Sequence, residues 1–256
     1  MSVDMPETAM IFAAGMGRRM RPLSETTPKP LLKVGGQAIL CHALDRLDRA
    51  GVARVVVNAH WHADMVAAAL EARRGAGDGP RTVLRREDAL LETGGSAAAA
   101  LRAGQVGPGP FFLLNGDAMW LNGPQAALRR LAAAFDPATM DAMLLLGAMT
   151  RAVGEVGRGD FAVDAHGRPR RPKDGEVTPY VYTGVQIVSP ALFDAAPTGA
   201  FSLNLLWDRA MARGRLGMIV HDSLWFHLSR PQDIAAAETT LRTMLDPDHD
   251  DGGVHG

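Results

Sequence analysis

Four basic residues follow a pair of glycines near the start of this chain. Gly15-Met16-Gly17 is followed by Arg18, Arg19 and Arg21, and then by Lys29 between Pro28 and Pro30. Glycines one residue apart let the backbone turn sharply and come close to a ligand. Exposed N–H groups, guanidinium forks and a stiffly held lysine together suit a polyphosphate. Two familiar phosphate loops do not fit. A dinucleotide fingerprint needs a third glycine where Met20 stands, and a Walker A loop needs Gly-Lys-Ser/Thr, which the chain lacks.

Further along, Asn115-Gly116-Asp117 directly follows the apolar run Phe111–Leu114. A carboxylate at such a strand end suits Mg²⁺, which takes oxygen ligands and shares its shell with substrate phosphates. The same three residues also make an ordinary strand-ending turn. Leu91-Glu92-Thr93-Gly94-Gly95 allows a backbone to pass close to a planar base, and it equally reads as a helix cap. Asn58, at the end of another apolar run, has the chemistry to read a base edge. His60 and His62 lack a third metal-type residue at a familiar spacing and read as strand-end residues. Gly157-Arg158-Gly159-Asp160-Phe161 is either a tight ligand loop or a hairpin entry. The chain lacks a nucleophile elbow, and the single cysteine, Cys41, sits among Ile39, Leu40 and Leu44 as a buried, inert thiol.

These residues need elements to hold them. Ala9–Ala13 is a short apolar run suited to a strand buried on both faces. Helical spacing covers 37–50, 63–73, 97–102 and 125–135, alternating with strands at 54–58, 81–85, 111–114 and 143–146. Such alternation predicts a doubly wound, mostly parallel α/β sheet up to about residue 150. Beyond it the pattern changes to a polar hairpin turning at Gly167, a strand over 180–188 and a helix over 203–212. Short strands at 216–220 and 225–228 and a closing helix over 231–244 complete the pattern. The expected organisation is a leader over 1–8, one domain over 9–245 and a mobile tail over 246–256.

Composition sets outer limits. The 256 residues carry a formal charge of −1, with 47% hydrophobic and 21% charged residues. This is a soluble globular balance without the basic excess of a general nucleic-acid binder. Of only three lysines, Lys29 and Lys33 fall beside the glycine loop. With no apolar segment long enough for a signal peptide or membrane span, a cytoplasmic protein without nucleic-acid or membrane partners is expected. Monomer and dimer are both open.

The strand running into AGxGxRMxPL (14–23), with PKPL at 28–31, resembles the sugar-1-phosphate nucleotidyltransferase family. ETGG, NGD and GRGDF recur in matching order, as in its branch acting on N-acetylmuramate 1-phosphate. The resemblance implies a Rossmann-like fold with a small antiparallel sugar-side portion. Its substrates would be a nucleoside triphosphate, UTP in that branch, and a sugar 1-phosphate, with Mg²⁺ as cofactor. It places Ala13, Ala14, Gly15, Met16, Gly17, Arg18, Arg19, Lys29, Asn58, Glu92 and Gly94 at the nucleotide. Asn115, Gly159, Asp160, Tyr182 and Thr183 fall at the sugar and Asp117 at the metal, with Arg19 and Lys29 catalytic. One departure stands out. The family's WxDVGT-like segment, whose Asp is a second metal ligand, reads Trp225-Phe226-His227-Leu228-Ser229-Arg230 here. His227 could act indirectly through a metal-bound water or phosphate, ligate a softer ion, mark lost catalysis, or be a buried histidine with no metal role. The competing readings are a non-catalytic nucleotide-binding subunit and a mannose-1-phosphate guanylyltransferase.

Overall fold

The computed structural model describes residues 3–245; the tail expected over 246–256 lies outside them. A seven-stranded sheet organises the chain. From one edge its strands are Leu216–Val220, Ala142–Ala148, Tyr180–Val188, Phe111–Asn115, Thr8–Phe12, Arg54–Ala59 and Arg81–Arg86. Six run parallel, and Tyr180–Val188 alone runs against them. The doubly wound expectation therefore holds, with one reversed strand in its middle.

Alternate residues of each strand point to opposite faces, and each face carries its own helices. Ile11, Val55 and Val57 pack with Leu40, Leu44 and Leu47 of helix Ile39–Arg49. The same side holds Val66 and Leu70 of helix Ala63–Gly75 and Leu128 and Leu131 of helix Ala127–Ala134. Met10, Val56 and Leu113 face the other way, onto Ala97, Ala98 and Ala100 of helix Glu92–Arg102 and Leu206 and Trp207 of helix Leu203–Ala212.

A third, smaller core sits at the carboxyl ends of the parallel strands. There Met20 and Ile39 pack with Phe226, Leu228 and Ala237, the last from the closing helix Pro231–Leu245. Met20 is fully buried. It occupies the place of the dinucleotide loop's third glycine, and its burial stabilises the turn by roughly 1.5–3 kcal/mol. Beside it, Trp225–Phe226 pairs with Met119–Trp120 and Ala152–Val153 in a separate three-stranded sheet.

Three expectations are corrected. The leader ends before residue 8: Thr8 opens the first strand, the Glu7 carbonyl accepts from Ala53 and Arg54 N–H, and Met5 packs on the core. The helix expected from Ala97 begins at Glu92, so Glu92–Gly95 forms its first turn instead of a loop preceding it. Cys41 is half-buried. The hairpin around Gly167 pairs Ala162–Val163 with Pro169–Arg170, as its spacing predicts.

Candidate active site

The central strands end level with one another. Phe12 stands opposite Asn58 on one side and Asn115 on the other, so the loops after all three strands open on one edge. In open α/β sheets this edge is where ligands sit. A cavity of about 460 Å³ lies there, lined by Ala14, Gly15, Gly17, Arg18, Arg19, Lys29, Asn58, Glu92, Asn115 and Asp117, with further neighbours. The structure thus gathers into one place residues drawn from five separate stretches of sequence.

Local chemistry explains how each arrives. Gly17 adopts a left-handed φ of 60°, and its carbonyl accepts from Ser24 Oγ and Met20 N, both at 2.8 Å. This closes the loop into the short Arg18–Met20 turn and turns Arg18 and Arg19 outward. Gly116 donates to the Phe12 carbonyl at 2.9 Å, and a side-chain carbon there would meet that oxygen at 2.4 Å. Only glycine lets the Asn115–Asp117 turn fold onto the end of the first strand. That close approach brings the Asp117 carboxylate into an ion pair with Lys29 Nζ.

Asn58 lies almost wholly buried, and its amide is committed within the protein. Oδ1 accepts from Ala13 N–H at 2.8 Å, while Nδ2 donates to Glu87 Oε1 at 3.0 Å and to Ser96 Oγ at 3.1 Å. It therefore holds the glycine loop in place and has no donor left for a base edge. Glu87 and Ser96 also line the cavity, and neither was expected. Glu87 Oε2 is buried without a partner among the described residues. The available signal was an acid just past a strand at the ligand edge.

Some expected residues face elsewhere. Ala13, Met16 and Gly94 belong to the right segments but do not line this cavity. Gly94 and Gly95 both donate to the Phe201 carbonyl, at 2.9 and 3.1 Å, and serve packing. Thr183 is buried, bonding Leu145 O through Oγ1, and Gly159 packs against Thr178. His60 and His62 bond the backbone carbonyls of Glu87 and Glu25, as befits strand-end residues.

Two more cavities adjoin the first. One, about 340 Å³, is lined by Arg19, Asp160, Tyr182 and His227 among others. The other, about 290 Å³, includes Thr93, Asn115, Asp160, Tyr182 and Trp207. Asp160 Oδ2 accepts from Tyr182 N–H at 2.9 Å, which fixes the carboxylate between the two. Burial raises the Tyr182 hydroxyl well above its ordinary pKa, so it stays protonated. Burial also lowers the pKa of His227, outweighing the nearby Asp117 and Asp233 charges, so its imidazole is neutral near pH 7.

A glycine loop with Arg18, Arg19 and Lys29 faces a carboxylate at the ligand edge of this sheet, and the known proteins similar to this chain are nucleotidyltransferases. A UDP-glucose pyrophosphorylase structure shares the fold at a TM-score of 0.76, covering 94% of this chain and all of that one at 13% identity. Residues 9–166 match the MobA-like NTP transferase domain, and the chain belongs to that family. It is 43% identical over 237 residues to an N-acetylmuramate alpha-1-phosphate uridylyltransferase of Caulobacter vibrioides, across 92% of this chain and 97% of the relative. A Neisseria meningitidis protein of the same name is 34% identical over 85% of this chain and 90% of its own length.

Proposed function

We propose that this chain joins the uridylyl group of UTP to N-acetylmuramate 1-phosphate, releasing pyrophosphate, in the cytoplasmic reuse of cell-wall sugar. The observation that carries this reading is the opposition of Lys29 and Asp117 within the cavity built by the glycine loop. Similarity to the Caulobacter relative over nearly its whole length supports the substrate pair. Among the described residues no helix is long and apolar enough to cross a membrane.

In this reading a phosphate oxygen of the sugar attacks the α-phosphorus in line. A P–O bond forms there as the bond to the β-phosphate oxygen breaks, and pyrophosphate leaves with the electron pair. No protein nucleophile is required, so the protein's tasks are positioning and charge stabilisation. Arg19, with Arg18, holds the β- and γ-phosphates. Lys29 neutralises the α-phosphate and the entering phosphate. Asp160, Tyr182 and Asn115 position the sugar.

The donor set fits a Mg²⁺ ion that is completed by substrate. Among the described residues no three His, Cys, Asp or Glu converge to form a cage. Mg²⁺ is commonly bound by one or two carboxylates plus substrate phosphates, and Asp117 supplies one. Such an ion would withdraw charge from the phosphates during transfer.

The preference for uridine rests on the similarity to the Caulobacter relative. The test is pyrophosphate release with Mg²⁺ across UTP, dTTP, GTP and ATP, crossed with a panel of sugar 1-phosphates. UTP with N-acetylmuramate 1-phosphate should give the highest kcat/KM. A preference for GTP with mannose 1-phosphate would replace the assignment, as would nucleotide binding without turnover.

A further inference from the structure

We propose that Arg171 recognises a carboxylate carried by the sugar, remote from its phosphate, and thereby sets the preference among sugar 1-phosphates. The inference rests on the function proposed above, and it begins with the third cavity. Its walls combine the ring of Tyr182 with those of Phe161 and Trp207, while Asn115, Asp160 and Asn204 supply polar groups. Aromatic faces with scattered hydrogen-bonding groups suit a sugar ring. Tyr182 and Trp207 meet edge to face at 4.7 Å, and the Trp207 indole N–H donates to Gln186 Oε1 at 2.9 Å. Gln186 Nε2 in turn donates to the Tyr182 hydroxyl at 3.0 Å, so this wall is braced.

Among the described residues Arg171 is the one cation lining that cavity, and it does not line the nucleotide cavity. Thr93 and Asn115 are common to both, so the phosphate end of a bound sugar lies toward them. The guanidinium stacks over Phe161 at 4.8 Å and over Trp207 at 5.8 Å. Nε donates to Asp208 Oδ1 and Nη2 to Asn204 Oδ1, both at 2.9 Å. Nη1 has no partner among the described residues. Stacking and two hydrogen bonds fix the plane of the fork before ligand arrives, which lowers the ordering cost of binding an anion.

A second feature points the same way. Helix Leu203–Ala212 begins at this cavity, and Ser202, Leu203 and Asn204 line it. The positive end of a ten-residue helix and a guanidinium together favour a negative group. Asp208 does not cancel Arg171, because its side chain is more than half exposed and such pairs are weak. The ligand class is therefore a sugar 1-phosphate with a second acid on the ring. N-Acetylmuramate carries one, on its lactyl ether, and N-acetylglucosamine is the same sugar without it.

Calorimetry with UDP-N-acetylmuramate and UDP-N-acetylglucosamine tests the proposal on wild-type protein, Arg171→Met and Arg171→Lys. Wild type should bind the acidic product more tightly. In Arg171→Met the ratio of the two affinities should fall roughly tenfold or more, as expected for loss of a hydrogen bond to a charged group. Arg171→Lys, which keeps the charge without the fork, should retain part of the ratio. Absence of a preference in wild type overturns the proposal. So does an equal loss for both products in Arg171→Met, which marks a phosphate-binding or purely structural arginine. Turnover of UTP with N-acetylmuramate 1-phosphate, measured separately, shows whether the proposed function itself has failed.

Discussion

Lys29 and Asp117, 88 positions apart in sequence, form an ion pair in the nucleotide cavity. In the proposed reading Asp117 is the carboxylate that takes the divalent ion, so in the ligand-free protein lysine and metal would compete for it. In that reading triphosphate would offer Lys29 a stronger partner and free Asp117. Lys29→Met should therefore raise the affinity of the nucleotide-free protein for Mn²⁺, read by electron paramagnetic resonance. It should also lower kcat/KM by roughly 10²–10³, the scale for removing a group aimed at developing charge. Unchanged Mn²⁺ binding in the variant would remove the competition from this account.

Asn58 gives a second expectation. Asn58→Ala leaves Ala13 N–H, Glu87 Oε1 and Ser96 Oγ without their shared partner. Each unmet buried polar group costs about 1–3 kcal/mol. Water entering from the cavity lowers the sum, so a loss of about 2–3 kcal/mol in a urea titration is expected. KM for UTP should rise as well, because the glycine loop loses its anchor. A variant with weakened UTP binding and undiminished stability would make Asn58 a direct base contact instead.

Gly94 separates packing from ligand contact. A side-chain carbon there would lie 2.4 Å from the Phe201 ring and 2.8 Å from the Phe201 carbonyl. Gly94→Ala forces the first turn of helix Glu92–Arg102 away from residues 199–201, at a cost of about 1–3 kcal/mol. Thermal unfolding should show the loss. An unchanged melting temperature with an altered KM for UTP would return Gly94 to the ligand.

How much of this was legible beforehand follows from the range over which each signal acts. The glycine loop, its arginines and Lys29 are written in one continuous stretch, and apolar runs announce their strands wherever both faces are buried. The place of Asp117 at the ligand edge was legible because it lies two residues past the Phe111–Asn115 strand. The place of Tyr180–Val188 was not, since pairing between Phe111–Asn115 and Ala142–Ala148 is decided by contacts far apart in sequence. Glu87 and Arg171 went unnoticed for the same reason. Each gains its meaning from partners on other elements, Asn58 for one and Phe161 with Trp207 for the other. Gly94 was seen, but whether it faced a base or Phe201 depended on where the helix began.

Histidine burial predicts a dependence on pH. His221 lies buried beside Asp222 and Arg130, with Nε2 against the Leu224 carbonyl. Burial, the largest cause, holds its pKa below the ordinary histidine value, and the same holds for His42 and His227. The unfolded chain takes up these protons near pH 6.5, where the folded chain still resists them. Stability should thus be fully present above about pH 6.5 and decline as pH falls toward the lower folded values. Melting temperatures between pH 8 and 5 should show this, with a shallower acid slope in His221→Gln. An identical slope in the variant would move the effect to the other histidines.

His227 is the last case, because it stands where the family places a second metal-binding carboxylate. It lines the cavity shared by Arg19, Asp160 and Tyr182, its backbone N–H donates to Val153 O at 2.8 Å, and its ring lies 5.4 Å from Trp225. Neutral near pH 7, the imidazole offers one N–H donor and one nitrogen acceptor, a poor direct ligand for an ion that favours oxygen. It is well suited to hold a water or phosphate oxygen in the metal's shell. His227→Ala should then lower Mg²⁺-dependent kcat by roughly 10- to 100-fold, the scale for outer-shell partners. The ratio of Mg²⁺- to Mn²⁺-supported rates should stay constant, because no metal–nitrogen bond is lost. His227→Asp, restoring a hard oxygen donor, should lower the Mg²⁺ concentration needed for half-maximal rate. If His227→Ala instead abolishes the Mn²⁺-supported rate while sparing that with Mg²⁺, the imidazole binds the metal directly and the outer-shell role is wrong.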